Sequence, residues 1–150
     1  MDTATTGNAK QSYLERQAVT NTGEDIFIEW AIKEKWNICR LGFDEKNKNV
    51  DNFFKLNPLI RNIPDFIVTK KDKIRVINVK GTANIKEKEI KILPKIVEIY
   101  SSFDAPLVYA FCFAGRKPIF KKVNEILELW EQGQNQSWHD GVIYRKLNLG

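Results

Sequence analysis

Three polar residues near the ends of two predicted strands have the types and spacing of a hydrolytic site. Asp65 follows a proline and directly precedes the apolar segment FIV, and Asn78 and Lys80 stand two residues apart in the segment IRVINVK. Because side chains alternate along a strand, Asn78 and Lys80 point to the same face. The polar segment from Lys70 to Lys73 predicts a hairpin turn, which can bring Asp65 opposite the other two residues. We therefore expect a carboxylate, an amide oxygen and a lysine to cluster at one sheet edge.

This combination of groups suits the hydrolysis of a phosphodiester bond. Magnesium prefers hard oxygen ligands and few protein groups, and it keeps several waters. Asp65 would supply one oxygen, and the carbonyl of Val79 or the amide oxygen of Asn78 would supply others. A metal held there orients or acidifies a water and neutralises charge that develops on the phosphate. Lys80 could orient that water, lower the pKa of the water as a neighbouring cation, or stabilise the pentavalent intermediate.

A further acid can come from the first predicted helix, in the segment GEDIFIEWAIKEK. On a helical wheel of about 100° per residue, three apolar residues fall within about 60° of Glu24: Phe27, Ile28 and Ala31. Glu29 falls about 140° away from Glu24 on the same wheel. Glu24 therefore lies on the sheet-facing side, where a carboxylate needs a partner such as a metal ion. We prefer Glu24 over Glu29 as the metal ligand; the alternative is that Glu24 only complements the helix dipole.

The remaining pattern predicts the elements that position these groups. Helical spacing of apolar residues predicts a helix from Thr22 and another that ends at Gly133. A third helix begins at Glu87 or, because proline is tolerated in a first turn, at Pro94. Strands are predicted from Asn37 to Phe43, 64 to 68, Ile74 to Val79, Pro106 to Phe113 and Val142 to Leu147, the last as an edge strand. A long connection is expected from Asp44 to Asn62, and a central mixed β-sheet flanked by helices follows from this α/β order.

The positive charge of the chain is concentrated around the predicted hairpin. The sequence has 24 Lys and Arg residues against 19 Asp and Glu residues, a net charge of +5. The window from Thr69 to Lys91 holds eight cations and three anions, so it carries the whole excess. Such a stretch is expected to face a polyanion, although a solvated basic surface is the alternative. The candidates for holding a DNA backbone over the metal are Lys70, Lys71, Lys73, Arg75, Lys86 and Lys88.

The size and composition of the chain favour one soluble domain. A length of 150 residues suits one core, which we place at residues 22–150, with residues 1–21 as an N-terminal arm or ancillary helix. No apolar run approaches the roughly 20 residues of a membrane helix. Two cysteines are too few for a disulfide framework, so the cytoplasm is the expected compartment. One histidine and two cysteines cannot build a zinc site without carboxylates.

The segments PD and NVKGT, with twelve residues between Asp65 and Asn78, resemble the motif of the PD-(D/E)XK nuclease superfamily. The preceding GED is similar to the first motif of its resolvase-like branches. The resemblance implies an α/β, restriction-endonuclease-like fold with Mg²⁺ or Mn²⁺ as cofactor. It implies Glu24, Asp65, Asn78 and Lys80 as the catalytic residues, and Glu24, Asp65, Asn78 and Val79 as the metal ligands. Asn78 departs from the pattern, because the family has Asp or Glu there and an amide lacks the charge that holds magnesium tightly.

The function expected from this resemblance is metal-dependent hydrolysis of DNA, either of the homing or restriction type or at branched junctions. A domain this small reaches only part of a duplex, so a homodimer or homotetramer is expected. Three explanations of Asn78 stay open: a natural variant that cuts, a DNA-binding protein on the same fold that has lost cleavage, or a chain altered to trap substrate. The third function class is an interaction protein in which the PD and VKG segments are coincidental.

Overall fold

The computed structural model describes residues 22–41 and 62–150 of the chain. The expected N-terminal arm (1–21), most of the expected connection (44–62) and the end of the first expected strand lie outside the described residues. The helices are α1, described over residues 22–33, α2 (Glu87–Ser101) and α3 (Val123–Gln132). The strands are β1 (Asn37–Arg40), β2 (Phe66–Lys70), β3 (Lys73–Lys80), β4 (Asn84–Lys86), β5 (Leu107–Phe111), β6 (Ile119–Lys122), β7 (Gln136–Ser137) and β8 (Ile143–Lys146).

A five-stranded mixed sheet forms the centre of the fold, with the order β1-β2-β3-β5-β6. Strands β3 and β5 are parallel, and the other neighbouring pairs are antiparallel. The parallel pair needs a crossover connection, which β4 and α2 supply. The predicted hairpin is present as β2 and β3, with Lys70 opposite Lys73. The expected central mixed sheet flanked by helices is thus confirmed.

Helices cover both faces of this sheet, because the central strands carry apolar side chains on both sides. On one face, Phe27 and Ala31 of α1 pack in a buried cluster with Phe66 and Val79. On the other face, α2 and α3 pack against a second buried cluster that includes Tyr109. The apolar run LVYAF of β5 contributes to both clusters, as expected for a strand buried on both faces.

Helix α2 runs from Glu87 through Pro94 to Ser101. The structure therefore decides between the two predicted starting points in favour of Glu87. Proline has no backbone N–H, so the carbonyl of Ile90 loses the partner it would have four residues later. The helix is nevertheless held in place by the buried side chains of Leu93 and Ile96. No helix in the described ranges is long and apolar enough to cross a membrane.

A second, three-stranded sheet has the order β4-β8-β7. The expectation of an edge strand at residues 142–147 is wrong, since β8 is the central strand here and pairs with β4 and β7. The sequence did not predict β4, β6 or β7, which have three, four and two residues. Segments of this length are too short to show the alternation of apolar and polar residues by which a strand is recognised. Residues 81–83 connect the end of β3 in the large sheet to the start of β4 in the small sheet.

Candidate active site

Asp65 lies where β2 begins, and it is fixed to β3 through both its backbone and its side chain. The backbone N–H of Asp65 donates to the carbonyl of Ile77 at 3.0 Å. The carboxylate oxygen Oδ2 accepts the backbone N–H of Val79 at 2.7 Å. A side-chain oxygen thus takes the place of a backbone acceptor at the point where the pairing of β2 with β3 ends. These contacts hold the carboxylate at the end of the sheet, beside the residues that follow Ile77.

The surroundings of Asp65 raise the pKa of its carboxyl group from 3.8 to about 7. Desolvation by burial is the largest cause, and the negative charge of Glu24 adds to it. The hydrogen bond from Val79 and the positive charge of Lys80 lower the pKa, and the charge of Glu89 raises it slightly further. Two carboxylates therefore repel each other at this edge, and a bound cation would relieve that repulsion.

Glu24 reaches the same edge from the first described turn of α1. The helix approaches the end of β3 closely: a Cβ atom on Gly23 would lie 3.1 Å from the Cα of Gly81. Only glycine leaves room for this approach without displacing the backbone. The carboxylate oxygen Oε2 of Glu24 accepts a hydrogen bond from Nη1 of Arg40 at 2.8 Å. Glu29 of the same helix is exposed and Glu24 is half-buried; the role of Glu24 as a metal ligand stays a prediction.

The oxygen donors at this edge fit a hard cation that keeps most of its water. In a strand the N–H and carbonyl of one residue point to the same side. The Val79 carbonyl therefore points to the side on which its N–H bonds to Asp65. The amide group of Asn78 lies beside the hydroxyl of Tyr109 on β5, where it lowers the pKa of that hydroxyl against the larger, raising effect of burial. In residues 22–41 and 62–150, no three His, Cys, Asp or Glu side chains form a group that could hold a metal ion. The donors suit Mg²⁺, which needs few protein ligands, and they do not form an all-protein cage.

Lys80 is held by a carboxylate that the sequence analysis did not select. The Lys80 ammonium Nζ donates to Oε1 of Glu89 at 2.5 Å, and both side chains are largely buried. The second oxygen of Glu89 accepts a hydrogen bond from the hydroxyl of Tyr109 at 2.5 Å. Both carboxylate oxygens of Glu89 are thus used, one by a cation and one by a buried phenol. Glu89 compensates the charge of Lys80 and fixes its position at the edge of the sheet.

The spacing of residues in α2 indicates that the side chain of Glu89 is buried. The segment EKEIK is rich in charge, and Glu89 is one of the three anions in the basic window from Thr69 to Lys91. Glu89, Leu93 and Ile96 are four and three residues apart and form the buried side of α2. A helical wheel centred on Leu93 therefore places Glu89 on the apolar face, as the same reasoning did for Glu24.

The cations proposed to contact DNA divide between two ends of the domain. Lys73 begins β3 and Lys80 ends it, so their Cα atoms are roughly 23 Å apart at 3.3 Å per residue. The cations at the hairpin end therefore lie away from Lys80, and contacts of these cations with DNA stay a prediction. Lys70 also has a structural role, since its Nζ donates to the carbonyl of Glu34 at 2.8 Å near the end of α1. The cations at the hairpin end are Lys70, Lys71, Lys73 and Arg75.

Lys86 and Lys88 lie at the other end, near the site. Lys86 closes β4 and Lys88 stands in the first turn of α2, directly before Glu89. Lys88 is exposed and Lys86 is half-buried. Of the predicted DNA-binding residues, these two follow Lys80 most closely along the chain, and their contact with a phosphate stays a prediction.

Comparison with known proteins adds a likeness to solved structures. No protein-family model and no curated protein matches the sequence. Among solved structures, the chain is similar to Hjc, a Holliday junction resolvase from Archaeoglobus fulgidus, an archaeal hyperthermophile. The TM-score is 0.48 at 12% sequence identity, over 83% of this chain and 85% of the resolvase chain.

Proposed function

We propose that this chain is a metal-dependent endonuclease that hydrolyses phosphodiester bonds in DNA. The observation that carries the proposal is the convergence of Glu24, Asp65 and Lys80, from α1, the start of β2 and the end of β3. Both Glu24 and Lys80 are close enough to shift the pKa of the Asp65 carboxyl group, in opposite directions. Two acids and a lysine beside a basic surface are a suitable set of groups for cleaving a polyanion.

Each residue of the proposed site would have a role that follows from its chemistry. Glu24 and Asp65 would hold Mg²⁺ or Mn²⁺, together with the carbonyl oxygen of Val79 and the amide oxygen of Asn78. The metal, when bound, supplies an activated water and offsets charge on the phosphate. Lys80 donates hydrogen bonds to the attacking water or to a phosphate oxygen that gains charge. Asn78 stands where a third acid could be. Because its amide is uncharged, the site repels the phosphate less than three carboxylates would.

The proposal also includes the type of DNA that is cut and the oligomeric state of the protein. Homing or restriction-type cleavage and the resolution of branched junctions are two uses of the same site. In both, two strands are cut, and a symmetric homodimer or homotetramer would place one site on each strand. Lys86 and Lys88 would contact phosphates beside the cut, and the hairpin cations would contact phosphates further along the duplex.

A non-catalytic DNA-binding protein on the same fold is the second candidate. The observation in its favour is that protein groups already bind two of the functional side chains, Glu24 and Lys80. Arg40 binds Glu24 at 2.8 Å and Glu89 binds Lys80 at 2.5 Å. In a disarmed site such internal contacts replace contacts with a metal and a phosphate.

Metal-dependent cleavage tests the proposal. Supercoiled, linear and four-way-junction DNA are incubated side by side with the protein and Mg²⁺ or Mn²⁺, and with Lys80→Ala and the control Lys95→Ala. Lys95 is an exposed lysine of α2 outside the proposed site. We expect the protein and Lys95→Ala to cut and Lys80→Ala to lose about 100- to 1000-fold in rate.

The pattern of failure separates the two candidates. If the protein binds DNA without cutting it and Asn78→Glu restores cleavage, the site is intact but disarmed, and the second candidate is correct. If neither form cuts or binds DNA, both candidates fail.

A further inference from the structure

The hydroxyl group of Tyr109 belongs to a buried polar network beside the candidate active site. Tyr109 is completely buried, and its hydroxyl donates to Oε2 of Glu89 at 2.5 Å. The other oxygen of Glu89, Oε1, accepts a hydrogen bond from Nζ of Lys80 at 2.5 Å. Asn78 lies directly opposite Tyr109 in the pairing of β3 with β5. The network therefore joins β5, α2 and β3, and it ends at the lysine that is proposed to act on the phosphate.

The side chains of this network lie on the face of the large sheet that α2 covers. Val76 of β3 and Tyr109 of β5 belong to the buried cluster that includes Leu93 of α2. Because side chains alternate along a strand, Asn78 and Lys80 point to the same face as Val76. The half-buried amide of Asn78 is therefore turned toward the network rather than toward α1.

The single proton of the Tyr109 hydroxyl determines which side chain can lie beside it. A tyrosine hydroxyl donates one proton and accepts through its oxygen, whereas an ionised carboxylate only accepts. The proton of Tyr109 is given to Glu89, so a neighbour on the other side of the oxygen has to donate. The amide nitrogen of asparagine donates, and an ionised aspartate has no proton to give. Burial raises the pKa of the Tyr109 hydroxyl and Glu89 adds to this, whereas Asn78 lowers the pKa, as a donor to the oxygen does.

The charges around position 78 also favour an uncharged side chain. Burial is the largest cause of the raised pKa of Asp65, and the negative charges of Glu24 and Glu89 raise that pKa as well. Three carboxylates are thus close enough to influence one another, and Lys80 is the cation that lowers the pKa of Asp65. A further carboxylate at position 78 would compete with Glu89 for the phenol proton and for the ammonium group, and one of the two acids would lose a partner.

We propose that Tyr109 and Asn78 are positioning residues for Lys80. Tyr109 holds one oxygen of Glu89 in place, so that the other oxygen holds Lys80. Asn78 is the side chain that leaves the proton of Tyr109 to Glu89. An acid at position 78 would take that proton from Glu89 or would remain without a donor, and either arrangement disturbs the contact on which the position of Lys80 depends. Only the statement that Lys80 then acts on a phosphate rests on the proposed function.

A double-mutant cycle tests the contact between the two residues without metal or DNA. The equilibrium constant for unfolding in urea is measured for the unchanged protein, Asn78→Asp, Tyr109→Phe and the double variant, at mildly alkaline pH where the new carboxyl group is ionised. Repulsion by Glu24 and Asp65 is the same with and without the Tyr109 hydroxyl, so the cycle isolates the contact with that hydroxyl. We expect Asn78→Asp to raise the constant about 2- to 150-fold more in the unchanged protein than in Tyr109→Phe.

The matched control for the cycle is Asn84→Asp, because Asn84 is also a half-buried asparagine in a strand. Its effect should be the same with and without the Tyr109 hydroxyl. If Tyr109→Phe does not fold, Glu89→Gln serves as the second background, since an amide binds the phenol proton less strongly than a carboxylate does. Asn78→Asp should again cost less there. An equal cost of Asn78→Asp in every folded background overturns the proposal.

Cleavage and binding measured together test the effect on Lys80. The single-turnover rate with Mg²⁺ and the Kd for the same DNA are determined for both single variants and the double variant. A displacement of about 1 Å at a reacting group costs about 100-fold in rate, so we expect Tyr109→Phe and Asn78→Asp to cut up to about 100-fold more slowly at unchanged Kd. The double variant should cut no more slowly than the slower single variant. A rate that is unchanged in Tyr109→Phe or increased in Asn78→Asp overturns the proposal.

The two measurements fail independently of the proposed function. If the unfolding cycle shows the coupling between Asn78 and Tyr109 while no form of the protein cuts DNA, the network stands and the nuclease function falls. If the unchanged protein, Tyr109→Phe and Asn78→Asp all cut DNA at the same rate, the nuclease function stands and the two residues do not position Lys80.

Discussion

The ammonium nitrogen of Lys80 lies 2.5 Å from the carboxylate oxygen Oε1 of Glu89. This pair joins the end of β3 to the first turn of α2, nine residues later. Glu89 is 8% exposed, and a buried carboxylate needs full hydrogen bonding to be tolerated. Lys80 and Tyr109 meet that requirement, so the position of Lys80 depends on α2 as well as on its own strand.

Glu89→Gln should reduce cleavage more than it reduces DNA binding. The amide keeps the shape of the side chain but not the charge that fixes the ammonium group of Lys80. A displacement of about 1 Å at a reacting group costs about 100-fold in rate. The measurement is the single-turnover cleavage rate beside the Kd for the same DNA.

The matched control for that variant is Glu98→Gln, since Glu98 is an exposed acid of the same helix. It should cut at the unchanged rate. If Glu89→Gln is folded and cuts as fast as Glu98→Gln, Glu89 does not position Lys80.

The stability of the metal-free protein should fall as the pH rises from about 4 to about 7. The pKa of Asp65 is raised from 3.8 to about 7 in the folded protein, chiefly by burial and by the charge of Glu24. The folded state therefore binds the proton more tightly than the unfolded state. The resulting stabilisation is fully present below the unfolded pKa and is lost as pH rises through the folded pKa.

Thermal melting at several pH values checks this expectation. Asp65→Asn cannot ionise, so it should show a smaller change in Tm between pH 4 and 7. Mg²⁺ at neutral pH should raise the Tm of the unchanged protein, because a ligand that binds only the folded state stabilises it. An identical pH profile for both proteins would show that Asp65 does not have a raised pKa.

Neutralising the hairpin cations should affect long DNA more than short DNA. Lys73 is roughly 23 Å from Lys80, which corresponds to about 7 base pairs at 3.4 Å each. The double variant Lys71→Ala, Lys73→Ala should weaken binding to a long duplex and lower its salt dependence by about 0.9 for each lost phosphate contact. Lys70 is left in place because it bonds to the carbonyl of Glu34.

Salt titrations with two duplex lengths provide the measurement. A duplex that covers only the site should bind the double variant and the unchanged protein equally. An equal loss of affinity for both lengths would mean that the hairpin does not contact DNA at a distance from the site.

The two cysteines should differ strongly in reactivity. Burial raises the pKa of the Cys112 thiol to about 12, so almost no thiolate is present at neutral pH. Cys39 is exposed on β1. A thiol reagent should modify one cysteine in the native protein and both after denaturation, and Cys39→Ser should abolish the native reaction. Rapid modification of Cys112 in native Cys39→Ser would contradict the burial of this strand end.

Much of the fold follows from local pattern, and the contacts that complete the site do not. The apolar run of β5 and the helix that ends at Gly133 are visible in a few consecutive residues. The spacing of Asp65, Asn78 and Lys80 similarly predicts their meeting in a hairpin. Arg40 and Glu24 are 16 residues apart in different elements, and nothing in the local pattern indicates their bond.

The location of charge illustrates the same limit. A count of charges along the sequence places the excess of positive charge between residues 69 and 91. The count does not show at which end of a strand each cation lies. The eight-residue length of β3 separates Lys73 from Lys80, although both belong to one basic window. Glu89 is one of the three anions in that window, and its spacing from Leu93 turns it toward the core.

The most direct test of the proposed function is the single-turnover rate at which Asp65→Asn cleaves supercoiled DNA with Mg²⁺. It is compared with the unchanged protein at saturating protein concentration, and binding of the same DNA is measured in parallel. We predict metal-dependent nicking by the unchanged protein, at least about 100-fold slower nicking by Asp65→Asn, and similar DNA affinity for both. Equal nicking rates in the two proteins would contradict the assignment of the site.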